Sequence, residues 1–120
     1  MDIIYYLHIL GRVLFGGYFV YSGVNHFLNS KMMSGYAGSK GVPAPMLAVI
    51  GSGLLIVLGG LGVLFQMYVQ WSLALIVLFL IPVTLMMHNF WADKDPMARM
   101  NNRIGFLKNM ALLGATFMMF

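Results

Sequence analysis

The segment Ile3 to Leu28, IIYYLHILGRVLFGGYFVYSGVNHFL, constrains this chain more than any other. Across it runs a single permanent charge, Arg12, with His8 and His26 as the other ionisable ring groups. About 20 apolar residues in a helix cross the ~30 Å hydrocarbon core of a bilayer. In lipid each backbone N–H and C=O has to be satisfied internally, which leaves helices or closed barrels. The segment lacks the period-two alternation of a barrel strand, so it reads as a helix. At about 100° per residue, His8, Arg12, Gly16, Phe19, Gly23 and His26 fall on one stripe of that helix. The stripe has polar groups at both ends and small residues between them. It is either a site or a packing face.

Further apolar runs extend from about residue 46 to 65, 71 to 90 and 104 to 120. Of 120 residues 61% are hydrophobic and 8% charged. A soluble domain is about a quarter charged, so this chain has too little polar surface for water. The sequence predicts an all-α fold, a four-helix transmembrane bundle of up-down topology, in a single domain over residues 1–120. The segment NSKMMSGYAGSKGVPAP, between the first two runs, reads as a loop or a re-entrant stretch because of its glycines and prolines. The last run is at the short limit of a span, and its helix starts at about 104 or nearer Pro96. No cleavable leader is expected, since the first residues lack a basic stretch. Without cysteine there is no disulfide, thiol redox chemistry or thiolate metal site.

The charge pattern orients the spans. Lys31 and Lys40 lie in the first linker, and Lys94, Arg99 and Arg103 in the linker over 91–103. The N-terminus, the QMYVQ turn and the C-terminus have no Lys or Arg. By the positive-inside rule the linkers 30–45 and 91–103 are cytoplasmic and both termini are outside. Tyr5, Tyr6, Tyr68, Trp71 and Trp91 sit near span ends, as an aromatic belt would. The net charge of +4 is then a signal to lipid headgroups, and no nucleic-acid partner is expected.

The same topology stacks span ends. Asn25 and His26 close the first helix, His88 and Asn89 the third, and Arg103, Lys108 and Asn109 open the fourth. These groups are expected in one layer on the basic side, with Pro82 freeing a carbonyl near Leu78 beside a cavity. Each has a plainer reading as a group reaching to the headgroups. Three histidines without an intramembrane carboxylate make a poor metal or haem set, and no metal is expected. The twelve methionines are dispersed and read as adaptable apolar filler rather than a copper relay. Arg12 lies about 21 Å of helix rise from His26, too deep to snorkel easily. It either bonds helix-end carbonyls and water or holds an anionic or carbonyl-bearing ligand such as a quinone. Gly16 and Gly23, and Gly53 and Gly60, repeat a spacing of seven, which predicts close packing of the first two spans.

Several pieces together carry a family resemblance. They are Gly11-Arg12, Ser22-Gly23 and His26-Phe27 in the first span, and Gly41-Val42-Pro43-Ala44-Pro45 before the second. Leu58-Gly59-Gly60-Leu61-Gly62, His88 with Phe90-Trp91, and Phe106-Leu107-Lys108-Asn109 with Leu112-Leu113-Gly114 follow in order. The chain resembles the DoxX family of small bacterial membrane proteins over nearly its whole length. The resemblance implies a four-helix bundle in the bacterial inner membrane. It also implies an accessory or subunit protein of a membrane redox or stress-response system, with other subunits as partners. No catalytic activity of its own is expected, because the chain shows no cofactor motif and no acid–base pair. The alternatives are a quinone-binding subunit of a thiosulfate:quinone type of oxidoreductase, and a small transporter or channel. The candidate ligand-binding residues are Arg12, His26, His88, Lys108 and Asn109, with a quinone as the candidate ligand. Many relatives carry a glutamate where this chain has Ile56, so a pair of that carboxylate with the helix-one arginine cannot form here.

Overall fold

The structure is a computed structural model and describes residues 2–120. Among the described residues it contains helices and no strand. In order these are α1 (Ile3–Leu28), α2 (Ser30–Ser39), α3 (Pro45–Phe65), α4 (Val69–Met87), a short 3-10 turn (Phe90–Ala92) and α5 (Pro96–Met118). Three of them, α1, α3 and α4 with the turn that follows it, are long and apolar enough to cross a membrane. α5 is as long, but its first third, PMARMNNR, is polar, and it does not reach that measure.

Local chemistry sets most boundaries. Asp2 caps α1 by accepting from the Tyr5 N–H at 3.1 Å, and Asp95 caps α5 by accepting from the Ala98 N–H at 3.0 Å. Such caps satisfy amides that have no partner within the helix. Pro45 and Pro96 stand in the first turns of α3 and α5, where no N–H is needed. Gln66 and Tyr68 adopt left-handed conformations with φ of 56° and 49°, which reverses the chain between α3 and α4 in three residues.

Two expectations need correction. The linker 30–45 is not simply a loop: residues 30–39 form α2, which leaves α1 after a one-residue break at Asn29. Its Ala37 is buried and Gly38 packs beside Pro45, so tertiary contact holds a segment that composition marks as irregular. The last helix begins at Pro96, the earlier of the two expected starts, because the Asp95 cap and Pro96 nucleate it. The third span, expected over 71–90, runs 69–87 with His88 as its C-cap.

The core lies between α1, α3 and α4, formed by Phe19, Ile56, Val63, Leu73, Ile76 and Leu80. The buried residues of α1 are Gly16, Phe19, Gly23 and His26, the middle and one end of the sequence stripe. α1 and α3 run antiparallel at very short range. A Cβ on Gly16 would stand 2.8 Å from the Gly60 carbonyl oxygen, and one on Gly53 would stand 2.8 Å from the His26 Cβ. The heptad-spaced glycines therefore form the seam between the two helices, as small residues do where membrane helices touch.

Candidate functional site

The seam places His26 at the mouth of two neighbouring cavities. The larger, of about 610 Å³, is enclosed by α3 and α4, with α2 laid across it. Its wall is mostly hydrocarbon and thioether, with His26, Tyr36 and Ser52 as polar members: Met32, Met33, Met86 and Met87 converge there, with Leu78 and Pro82. The smaller, of about 250 Å³, lies between α1, α4 and α5 and carries the polar groups His88, Lys108 and Asn109. His26, Met33, Tyr36, Phe79, Val83 and Met87 line both, so the two share a wall.

Four of the five candidate ligand-binding residues thus meet. His26, His88, Lys108 and Asn109 border the smaller cavity although they come from the ends of two helices and the middle of a third. His26 is buried, its Nδ1 donating to the Ser22 carbonyl at 2.7 Å and its ring set edge-on to Phe79. Lys108 extends from α5 to α1 and donates to the Tyr18 hydroxyl at 3.0 Å. The side chain of Asn109 is buried. His88 Nδ1 is enclosed without a hydrogen-bond partner and faces Gly105, where a Cβ would stand only 2.6 Å away.

Arg12 is apart from this group and lines neither cavity. Its Nε is enclosed and has no hydrogen-bond partner among the described residues. The register of the seam, with Gly16 against Gly60 and Gly23 against Gly53, sets Arg12 level with the C-terminal end of α3. Ile56 is fully buried, about 12 Å of helix rise from the level of Arg12 in that register. With Ile56 in this place, the position offers Arg12 no carboxylate to pair with.

A second polar cluster joins the two basic linkers. Lys40, the C-cap of α2, donates to Asn89 Oδ1 at 3.0 Å and lies 3.5 Å from Asp93. Asp93 accepts from the buried Asn102 at 2.7 Å. That bond, with the positive charges of Lys40 and Arg99, holds the Asp93 carboxyl below its ordinary range against a smaller opposing push from burial. The cluster ties the lid helix α2 to the α4–α5 connection. Sequence reasoning did not find it, nor the Lys108–Tyr18 contact. Asp93 standing among lysines was the available signal, but the partner depends on how the helices fold back. Asn25 and Asn89, expected in the polar layer, bond elsewhere: Asn25 accepts from Asn29 and Asn89 from Lys40.

Apolar helices of spanning length, paired by glycines and enclosing a lined cavity, define an α-helical membrane protein with several candidate spans. Among the described residues no group of three or more His, Cys, Asp or Glu is placed to hold a metal. The chain belongs to the DoxX family, whose model matches residues 7–89. The match covers α1 to α4 with His26 and His88, while Lys108 and Asn109 lie beyond it. No curated protein and no solved structure matches the chain.

Proposed function

We propose that this DoxX-family protein is an accessory subunit of a membrane redox or stress-response system that holds a lipophilic ligand of the quinone class. One observation carries the reading: an apolar cavity of about 610 Å³ shares a wall with a polar one of about 250 Å³. Ligand sites typically enclose about 300–1,000 Å³, mostly apolar, with a few placed polar groups. The pairing suits an amphiphile with its tail among Met32, Met33, Met86 and Met87 and its ring near His26, His88, Lys108 and Asn109. Thioethers flex to fit an irregular tail. Lys108 donates to a ring oxygen, and the catalysis resides in partner subunits. Arg12, far from both cavities, has no part in this site.

In the same reading α5 is the fourth crossing of a four-helix bundle in the bacterial inner membrane. The basic linkers face the cytoplasm and both termini the outside, supported by the five Lys and Arg they carry between them. The test is purification in mild detergent followed by extraction and absorbance of co-purified lipid. A stoichiometric quinone or quinol is the expected result. A protein that arrives empty and takes up neither added quinone nor added quinol would overturn the reading. For the topology, a C-terminal reporter active only outside the cytoplasm is expected, and one active inside it would refute it.

A further inference from the structure

His26 reaches both cavities, and its own hydrogen bond dictates what it offers them. It is only 7% exposed. Its Nδ1 lies 2.7 Å from the carbonyl oxygen of Ser22, one turn back along α1. A carbonyl oxygen accepts and never donates, so Nδ1 carries the hydrogen. In the neutral ring Nε2 is then a bare lone pair. Nε2 has no hydrogen-bond partner among the described residues. The ring's neighbour is Phe79, at 5.7 Å between centroids, which has no N–H or O–H to give. Met33, Val83 and Met87 in the shared wall supply none either, and the Tyr36 hydroxyl in that wall makes no hydrogen bond to His26. A bare acceptor that opens on a cavity gains a hydrogen bond from any occupant that supplies the donor.

We infer that the site selects its ligand by a hydroxyl group: the occupant donates an O–H to His26 Nε2, so a phenol- or quinol-type ring is taken in preference to its acceptor-only counterpart. The inference rests on the proposed lipophilic-ligand function and states which form of the ring is held. Lys108, which also borders the smaller cavity, has donors and no acceptor. A second ring oxygen accepts there, which makes a ring with two opposed oxygens, one still protonated, the best match. The step is binding alone, with no transfer of electrons.

The experiment uses a matched pair of redox-inert probes, para-dodecylphenol and its methyl ether para-dodecylanisole, titrated calorimetrically into the full chain in detergent micelles. The phenol is expected to bind about tenfold tighter than the ether, the size of one hydrogen bond. In His26→Phe that preference is expected to shrink to about twofold or less as the acceptor disappears. Should that variant fold poorly, the nitrogen-15 resonance of Nε2 in the unaltered protein decides instead. It is expected to move with the phenol and stay in place with the ether. Equal binding of the two probes, or a phenol that binds without moving the Nε2 resonance, overturns the hydroxyl preference while the cavity reading stands. Binding of neither probe overturns both.

Discussion

Gly60 is where the α1–α3 seam is tightest on backbone, and Gly60→Ala measures what that closeness contributes. A Cβ at position 60 would stand 2.7 Å from the Gly16 carbonyl oxygen, 2.9 Å from the Val20 amide nitrogen and 2.9 Å from Val20 Cγ2. The first is 0.7 Å short of the 3.4 Å at which ordinary contact begins. Two of the three atoms are backbone and cannot rotate away, so the helices have to part. Overpacking of this kind costs about 1–3 kcal/mol, and the immovable neighbours place Gly60 at the upper end. Alanine also returns about 0.8–1 kcal/mol of helix propensity. The net expectation is a loss of about 2 kcal/mol. Gly51→Ala is the control, in the same helix with nothing within 4 Å of its added Cβ. It receives the propensity gain alone and is expected to be neutral or stabilised by up to about 1 kcal/mol. Reversible unfolding in mixed micelles, followed by far-ultraviolet circular dichroism, compares the two. If Gly60→Ala is as stable as Gly51→Ala, the seam is looser than described and the packing argument fails.

Two other perturbations probe the polar groups. Arg12→Met keeps the apolar stem and removes an enclosed Nε that has no partner. The ligand-free protein is expected to be unchanged or up to about 1 kcal/mol more stable by the same unfolding measurement. A clear loss would show that the guanidinium holds a bond in the membrane. Asp93 gives a pH dependence whose sign follows from its lowered carboxyl. Its stabilising contribution is complete above the ordinary value of 3.8 and is lost as pH falls through the lower folded value. Amide exchange at the end of α2 is therefore expected to quicken as pH falls below the ordinary carboxyl value of 3.8 in the native chain, and Asp93→Asn to abolish the change. Exchange that quickens equally in both would refute the tie between Lys40 and Asp93.

What the sequence determined by itself is what depends on local periodicity. The stripe Gly16, Phe19, Gly23 and His26 was legible because side chains 3 and 4 residues apart share a helical face whatever that face meets. The heptad glycines marked the close pair of helices for the same reason, and the apolar runs marked the spans because hydrocarbon tolerates little else. The Asp95-Pro96 start of α5 was also written in the chain, since capping is a matter of a few adjacent residues.

Tertiary structure decided what depends on which faces meet. Residues 30–39 are rich in glycine and serine, and they are helical because α2 lies on α3 and over the cavity, a contact absent from their own composition. Met32, Met33, Met86 and Met87 are two dipeptides 54 positions apart, and only the fold makes them one wall. The antiparallel register of α1 and α3 separates Arg12 from position 56, a distance that residue identity cannot supply. The bare nitrogen of His26 combines both sources. Its partner Ser22 is four residues away and so follows from helix geometry, whereas the cavities that give that nitrogen an occupant exist only once α2, α4 and α5 have closed around it.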